Sequence, residues 1–472
     1  MRKPLQHQKT RFQLATVMAV TSGMALLLTM VGAGTAGAAT VGASHAGAKS
    51  ALGTQATAAV SGAGSDYFPV TPVRICDTRA ESAGVSANQC DAQGAAPLGP
   101  GGVANVTVIG TFGTAMVPAD ATAVVLHVTA TDTTGVSYFT VWPTFTPQPV
   151  ASSLNWNPDE NISNTIQAAV GQTGQVSVYN NQGSADLVID LEGYYEVATG
   201  GLVNTVAPVR VCDTRKSKTI PANQCNNNGT KAGTMQPNSM MSVSVASGFG
   251  VPMGATAVVV NVTATNTTSD GGYLTVWADG TTRPFASDLN WAAGQEIADR
   301  VITPISSAGV FDVYNAVGTT NVVIDLDGYV TASGGAQYFP VPPERICDTR
   351  AQGPGVAANP CNDAGPGTLG PVGSNSDSRD FTESTPSAGL ALNVTVTNTT
   401  GGGYLTVYPD SETTPPNASD LNWTAGTTIA NLAVTAVGSM KNGFIMFNGS
   451  TGNVDVVVDM VGYYQTLAPS SL

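Results

Sequence analysis

Residues 258–265 read VVVNVTAT, and this alternation decides the fold class of the chain. In an extended strand, Val260 and Val262 fall on one face, whereas Asn261 and Thr263 fall on the other. Branched side chains at a period of two are typical of a β-strand that buries one face in a core. The stretch therefore predicts a strand.

Similar runs surround this stretch in the middle of the chain, at residues 273–277, 288–291, 310–314 and 321–326. Clusters of Gly, Asn, Thr and Ser separate them, and none shows the 3.6-residue period of a helix. About seven or eight short strands in roughly 130 residues predict an all-β, antiparallel fold. The alternation does not choose among a sandwich, a jelly roll and a closed barrel.

One motif recurs three times and divides the chain into repeats. It reads VRICDTR at 73–79, VRVCDTR at 209–215 and ERICDTR at 344–350, so the copies are 136 and 135 residues apart. This spacing exceeds the roughly 20–50 residues of solenoid repeats. We therefore predict three tandem β domains, at residues 65–198, 199–333 and 334–466, followed by a tail at 467–472. Short Gly-rich junctions predict neighbours that sit close together, like beads.

Each repeat contains two of the six cysteines. In an exported protein, the one pairing that recurs identically in every copy predicts a local disulfide per repeat, closing a loop of about 13–15 residues. Zinc binding is the weaker alternative, because two thiols per copy without a histidine do not complete a zinc site. The predicted pairs are Cys76–Cys90, Cys212–Cys225 and Cys347–Cys361.

Residues 1–38 have the pattern of a secretory signal peptide. Basic residues precede an apolar stretch that ends in the small residues AGA at 36–38. An uncleaved membrane anchor is the alternative, because the stretch at 14–34 is nearly long enough to span a bilayer. We expect cleavage, a flexible Ala/Gly/Ser leader at 39–64, and a secreted, extracellular protein that is either free or associated with the cell surface.

The chain is acidic, with 32 acidic and 18 basic residues and a formal net charge of −14. Loss of the signal peptide removes four basic residues and no acidic ones, which leaves −18. Nucleic acids and anionic membranes are recognised by basic surfaces. We therefore predict neither nucleic acid nor, after signal cleavage, membrane as a partner.

Two sets of aromatic residues recur at fixed positions. Trp156, Trp291 and Trp423 share a strand face with the leucine of Leu-Asn-Trp, which predicts core packing. The second set lies on the Tyr-x-Thr-Val-Trp strand, on the face that points away from the core. Aromatic rings and hydroxyl groups together on one face are suited to binding a sugar ring. A purely structural role is the alternative, either as an exposed aromatic ladder or under a covering loop or domain. The candidate ligand-binding residues are Tyr138, Trp142, Tyr273, Trp277, Tyr404 and Tyr408.

Two acids also recur in every repeat, one in Asp-Thr-Arg and one near the end. A glycosidase-like pair is conceivable, but an arginine two residues from the first acid lowers its pKa, whereas a general acid needs it raised. We predict a structural bridge between the first and last strands, with calcium binding as a weaker alternative. The acids are Asp77, Asp213 and Asp348, and Asp190, Asp325 and Asp459.

Other catalytic patterns are lacking in the sequence. His127 aligns with Asn261 and Asn393 in the other repeats, and neither a Gly-x-Ser-x-Gly nor a His-Glu-x-x-His motif is present. We predict no enzymatic activity, no catalytic residue, no cofactor and no metal site.

The combination of Arg-x-Cys-Asp-Thr-Arg, Gly-Tyr-Leu-Thr-Val-Trp, Leu-Asn-Trp and Asp-Leu-x-Gly-Tyr resembles a repeat domain of secreted and cell-surface proteins from actinobacteria and related soil bacteria. The resemblance covers residues 65–466 and implies an exported, non-catalytic surface or accessory module without a settled activity. The third repeat departs from the pattern at 374–389, which replaces the Gly-Val-Pro stretch seen around Gly248 to Ala255 in the second repeat.

Two functions from different classes follow. The first is a carbohydrate-binding module for cell-wall or environmental polysaccharide, in which three weak sites gain avidity on a polymer. The second is a structural surface protein that self-associates or spaces domains and binds no small ligand. The first is the more readily tested.

Overall fold

The computed structural model describes residues 64–79, 90, 96–215, 226–227, 230–231, 233–246, 248–350, 373, 378–382, 387–440 and 442–466. These residues belong to one compact unit. They form strands and no helix, so the all-β prediction is confirmed. In this part of the chain there is accordingly no helix that could cross a membrane. The predicted signal peptide, the leader up to residue 63 and the tail lie outside the described residues.

Repeat 1 forms two four-stranded antiparallel sheets and a small two-stranded one. Its strands are β1 (Asp66–Asp77), β2 (Val103–Thr107), β3 (Gly110–Phe112), β4 (Ala115–Val117), β5 (Ala123–Thr131), β6 (Ser137–Pro143), β7 (Leu154–Trp156), β8 (Ile162–Ala169), β9 (Gln175–Asn180) and β10 (Asp186–Glu196). The four-stranded sheets have the orders β1-β10-β5-β8 and β2-β9-β6-β7, and β3 pairs with β4.

Repeat 2 reproduces both four-stranded sheets. Its strands are β11 (Leu202–Asp213), β12 (Asn226–Asn227), β13 (Thr230–Lys231), β14 (Ser239–Ser244), β15 (Ala257–Thr265), β16 (Gly272–Ala278), β17 (Leu289–Trp291), β18 (Ile297–Pro304), β19 (Val310–Asn315) and β20 (Asn321–Thr331). The sheet orders are β11-β20-β15-β18 and β14-β19-β16-β17, and β12 pairs with β13.

Repeat 3 has the same two sheets, β21-β28-β23-β26 and β22-β27-β24-β25. Its strands are β21 (Gln337–Asp348), β22 (Ser378–Thr382), β23 (Gly389–Thr397), β24 (Gly403–Pro409), β25 (Leu421–Trp423), β26 (Ile429–Ala436), β27 (Gly443–Asn448) and β28 (Asp455–Gln465). Strand β22 lies within the stretch 374–389, where the sequence departs from the other copies, yet it pairs with β27 as its counterparts do.

The alternating runs of repeat 2 correspond to strands β15, β16, β17, β19 and β20. A hydrophobic core draws on both sheets of each repeat, for example Val128 of β5 and Val178 of β9. Trp156, Trp291 and Trp423 lie in this core, as the Leu-Asn-Trp pattern predicts.

The prediction of three separate domains is wrong. The six four-stranded sheets surround a common centre in the manner of a six-bladed propeller, and β8, β18 and β26 meet there. All nine residues of β15 are buried, because the face opposite the repeat's own core lies against the next repeat. Asn261, on that face, donates to the carbonyl oxygen of Ser419 in repeat 3. A strand face without charges is thus covered by protein instead of water.

Backbone hydrogen bonds close the three repeats into a ring. Each repeat begins with an extended segment that forms a two-way bridge to the segment of a neighbour, with N···O distances of 2.7–3.0 Å. The first repeat is bridged to the second, the second to the third, and the third back to the first. The bridges join Tyr67 to Gly201, Val203 to Ala336, and Ser65 to Tyr338.

A second hydrophobic cluster forms where the three repeats meet. Its aromatic part is a chain of four buried tyrosines, Tyr67, Tyr195, Tyr338 and Tyr464, whose successive ring centroids are 4.3–5.1 Å apart. The amide nitrogen of Gln167 donates to the hydroxyl groups of Tyr195 and Tyr464 at 3.1 and 2.9 Å. These contacts satisfy polar groups that burial would otherwise penalise.

Side-chain oxygens add a cyclic set of contacts at the centre. One residue at the same position of β8, β18 and β26 accepts the backbone N–H of another repeat, each time at 3.0 Å. The pairs are Asn164 with Leu432 N–H, Asp299 with Thr165 N–H, and Asn431 with Arg300 N–H. The ring is therefore held by the same contact three times.

The described cysteines are all in disulfides. Cys76 pairs with Cys90, as predicted, with their Cα atoms 4.7 Å apart. Cys212 and Cys347 are also disulfide-bonded. Their predicted partners, Cys225 and Cys361, lie outside the described residues.

Candidate functional site

The candidate tryptophans are buried, contrary to the expectation of an exposed aromatic face. Trp142 is 6% exposed, Trp277 is 3% exposed and Tyr408 is 3% exposed. The indole N–H groups of Trp142 and Trp277 donate to the carbonyl oxygens of Thr146 and Thr281, both at 3.2 Å. The loop after each strand thus folds back over the indole ring. These three residues do not form the predicted sugar platform.

The tyrosines at the start of the same strands remain accessible. Tyr138 and Tyr273 are half-buried, and Tyr404 is 36% exposed. Each ring lies 6.4–6.5 Å from a second ring on the adjacent strand, in a tilted arrangement. The partners are Tyr179, Tyr314 and Phe447. Three of the six candidate residues therefore occupy equivalent surface positions, one in each repeat.

Tyr273 lines a cleft of about 260 Å³ between repeats 1 and 2. Repeat 1 contributes Arg74 and Arg79 of the VRICDTR motif, and repeat 2 contributes β16 and the loop that follows it. Hydroxyl and amide groups come from both sides. They belong to Thr129, Thr131, Asn161, Thr275, Ser287 and Asn290.

The Asp-Thr-Arg motif holds the arginines of this cleft in place. Arg74 donates from Nε and Nη2 to the two carboxylate oxygens of Asp190, at 2.9 and 3.0 Å. Arg79 donates to both oxygens of Asp77, at 2.9 and 2.7 Å. Burial raises the pKa of Asp77, but the hydrogen bonds and charge of Arg79, helped by Arg74, outweigh it and hold the pKa below its usual value.

These contacts explain what the motif does. Strand β1 pairs with β10, so the ion pair between Arg74 and Asp190 joins the first and last strands of the repeat. The same pair recurs in repeats 2 and 3, as Arg210 with Asp325 and Arg345 with Asp459. The predicted structural bridge is confirmed in geometry, with arginine as the link between the two acids.

Two residues of the loop after β16 were missed by the sequence reasoning. The guanidinium carbon of Arg283 lies 3.7 Å from the ring centroid of Tyr314. Phe285 is 73% exposed, and its centroid lies 5.7 Å from the guanidinium carbon of Arg74 in the other repeat. Both residues occur in the middle repeat alone. A position-by-position comparison of the three loops in the sequence could have found them.

A buried acid cluster lies at the same junction. Nδ1 of His127 is 3.9 Å from Glu192 Oε1 and 3.8 Å from Asp299 Oδ2, both too long for hydrogen bonds. Burial, with a smaller effect from the charge of Arg74, lowers the pKa of His127 to about 3, so the imidazole is neutral. The histidine thus forms no ion pair with either carboxyl group.

The carboxyl groups of this cluster hold protons near neutral pH. Burial raises the pKa of Asp299 to about 8 and that of Asp288 to about 7. Burial and the neighbouring acid Asp288 raise the pKa of Glu192 well above its usual value. Within the described residues, neither Glu192 oxygen accepts a hydrogen bond from an N–H or hydroxyl group. A proton shared between Glu192 and the neighbouring Asp288 would satisfy one oxygen of each group.

The other two junctions have different residues at the equivalent positions. Between repeats 2 and 3, the guanidinium of Arg300 donates to Asp327 and, at 2.5 Å, to Asp420. Between repeats 3 and 1, the corresponding residues are uncharged. They are Leu432, Val461 and Ser153, which stand where the second junction has Arg300, Asp327 and Asp420. The ring therefore has one junction with an acid cluster, one with an ion pair and one that is neutral.

No group of three or more His, Cys, Asp or Glu side chains is arranged to hold a metal ion in the part of the chain that the structure describes. The acid cluster belongs to the packing between repeats, and the cleft has arginines, aromatic rings and neutral polar groups on its walls. The arrangement is suited to binding a polar ligand with apolar faces.

Comparisons with known proteins leave the family open. No family model matches the chain, and no curated protein matches it. Solved structures with some likeness include a structure of Sulfolobus turreted icosahedral virus, at 11% identity and a TM-score of 0.17, covering 79% of this chain and 85% of that one. Another is the tandem CBM22 domain of Paenibacillus barcinonensis Xyn10C, at 13% identity and a TM-score of 0.16, covering 57% of this chain and 94% of that one. At such TM-scores these likenesses support no conclusion about activity.

Proposed function

We propose that this protein is a secreted, non-catalytic module of the cell surface or extracellular matrix that binds polysaccharide in clefts between its repeats. The observation that supports it is the cleft between repeats 1 and 2, where Tyr273 and Phe285 stand beside hydroxyl and amide groups. Aromatic rings stack on the apolar faces of sugars, and neutral polar groups hydrogen-bond to sugar hydroxyls.

The tyrosine of this arrangement recurs in each repeat. Tyr138 and Tyr404 occupy the positions of Tyr273 in the other repeats, and the charge of Arg345 in repeat 3 acts on Tyr138 in repeat 1. A polymer that reaches two clefts would gain avidity without any single strong site. Self-association through the Gly-rich junctions has less support, since residues there bridge repeats within the chain.

Pull-down on insoluble chitin, cellulose and peptidoglycan tests the proposal. Replacing Tyr138, Tyr273 and Tyr404 together by Ala is expected to abolish retention on the polymer that the unmodified protein binds. Phe285→Ala is expected to weaken it. Phe145→Ala is the matched control, because Phe145 is 72% exposed, about as much as Phe285, but lies outside the cleft. Undiminished retention of the triple variant would contradict the proposal.

A further inference from the structure

Arg283 and Phe285 make the junction between repeats 1 and 2 different from the other two junctions. The middle repeat reads TTRPFASDLNW at 281–291, whereas repeat 1 reads TPQPVASSLNW at 146–156. Aligned on the closing Leu-Asn-Trp, the arginine position holds Gln148 in repeat 1 and Pro415 in repeat 3. The phenylalanine position holds Val150 and Asn417. The cation and the additional ring therefore occur at one of the three junctions between repeats.

Among the charged groups around this cleft, the cations outnumber the anions by one. Arg74 is paired with Asp190, and Arg79 with Asp77, so these four groups nearly cancel. Arg283 has no ion pair with any residue in the described ranges, and its side chain is exposed. An excess positive charge on a chain with a net charge of −14 is a local feature that an anionic group would recognise.

The opposite wall of the cleft agrees with this charge. Asn161 lines it and accepts a hydrogen bond from Thr131 Oγ1 at 2.5 Å. In repeat 2 the same position is Glu296, which accepts the hydroxyl of Thr265 and the amide of Asn422. The junction between repeats 2 and 3 thus has a carboxylate where this cleft has a neutral amide, and it lacks the arginine.

The side chain of Arg283 is also preoriented. Its guanidinium carbon lies 3.7 Å from the centroid of the Tyr314 ring, and the Tyr314 hydroxyl donates to Asn238 at 2.8 Å, which fixes that ring. A guanidinium stacked on an aromatic ring keeps its N–H edge free for a bidentate contact with a carboxylate or phosphate. Less side-chain entropy is then lost on binding.

We propose that the cleft between repeats 1 and 2 binds an anionic sugar unit of a polysaccharide. The carboxylate or phosphate of that unit pairs with Arg283, and its ring packs against Phe285 and Tyr273. The volume of about 260 Å³ lies just below the roughly 300–1,000 Å³ of typical small-molecule sites, which suits one or two rings of a longer chain. This inference rests on the proposed function and adds the chemical class of the ligand.

Binding measurements on the full chain with three soluble probes test it. The probes are an oligogalacturonate, the methyl-esterified form of the same oligomer, and a poly(glycerol phosphate). We expect the oligogalacturonate to bind at least about tenfold more tightly than its neutral ester, with an affinity that falls as salt is raised. The glycerol-phosphate polymer carries the anion without a sugar ring, so we expect it to bind more weakly than the oligogalacturonate. Tighter binding of this polymer would show that the cleft recognises the anion alone and would overturn the inference of an anionic sugar unit.

The variants separate charge from packing. Arg283→Gln, which introduces the residue of repeat 1, is expected to remove the preference, so that the acidic oligomer binds no more tightly than its neutral ester. Arg283→Lys keeps the charge without the planar fork and is expected to retain part of the preference. Equal binding of the acidic and neutral oligomers would refute the anionic class while leaving polysaccharide binding intact. Failure of every probe and every insoluble polymer would refute both proposals.

Discussion

Replacing Asp299 by asparagine is expected to remove much of the pH sensitivity of the junction between repeats 1 and 2. The carboxyl group is fully buried, and its pKa is raised from 3.8 to about 8, chiefly by burial. A raised carboxyl pKa stabilises the fold at pH values below the pKa in the unfolded chain, and this stability is lost as the pH rises through the pKa in the folded protein. The stabilising contribution of Asp299 is therefore lost progressively between about pH 4 and about pH 8.

The size of the effect follows from proton linkage. Between pH 5 and 8, the folded protein keeps a proton on Asp299 that the unfolded chain has released. One retained proton corresponds to about 1.4 kcal/mol per pH unit. With a folded-state pKa of about 8, this amounts to an upper value of about 4 kcal/mol over the three pH units. The Asp299→Asn variant is expected to be that much less sensitive to pH.

Asparagine fits this position because the other repeats already have it. Asn164 and Asn431 accept the equivalent backbone N–H at 3.0 Å, as Asp299 does. Their amide nitrogens also donate at 2.6 Å to the carbonyl oxygens of Ser153 and Asp420. An asparagine at position 299 is expected to make both contacts, so the variant should match the original protein at pH 5.

Urea unfolding followed by tryptophan fluorescence at pH 5, 6, 7 and 8 measures the difference. The unmodified protein is expected to lose stability with rising pH, and Asp299→Asn to be the more stable of the two at pH 8. Asn164→Asp is the reciprocal control and is expected to introduce a new loss of stability at alkaline pH. Parallel pH profiles for the original protein and Asp299→Asn would refute the assignment of a proton to this group.

Three further changes test other contacts of the ring. Arg300→Leu, which introduces the residue of repeat 3, leaves two buried acids unpaired and is expected to cost about 3–5 kcal/mol at pH 7, with partial recovery at pH 4, in the same urea assay. Cys90→Ser removes a disulfide across 14 residues and is expected to cost about 3 kcal/mol; reduction by dithiothreitol should add nothing at that site. Tyr464→Phe removes a buried hydroxyl that bonds to Gln167 and Tyr195 and is expected to cost about 1–2 kcal/mol, seen as a lower urea midpoint and not as lost glycan retention.

The strands of each repeat could be predicted because their alternation reflects a core on one face. The sequence could not show what covers the opposite face. Asn261 and Thr263 alternate with valines as solvent-facing residues do, yet both are buried against the next repeat. Alternation of apolar and polar residues is the same whether the polar face meets water or an uncharged protein surface. The low charged fraction of 11% was the available sign that these faces meet protein.

Only part of the candidate site could be predicted from the sequence, for a similar reason. Strand position correctly grouped Trp277 and Tyr273 on one face, but only the fold of the following loop separates them. Trp277 is covered by that loop through its indole hydrogen bond to Thr281, whereas Tyr273 opens into the cleft. Loop conformation depends on contacts between residues distant in sequence, and the periodicity of the strands does not indicate those contacts. The facing arginine, Arg74, comes from another repeat and could be placed only by the ring.

The closed ring also changes the molecularity of folding. Repeats 1 and 2, and repeats 2 and 3, are joined by peptide bonds, whereas repeats 3 and 1 meet only through contacts such as the 2.7 Å hydrogen bond from Gln337 to Asp66. Three unlinked copies would have to find one another in solution, and dilution would separate them. On one chain the last junction forms at an effective concentration on the order of millimolar. The ring therefore closes as a first-order process, whatever the concentration of the protein.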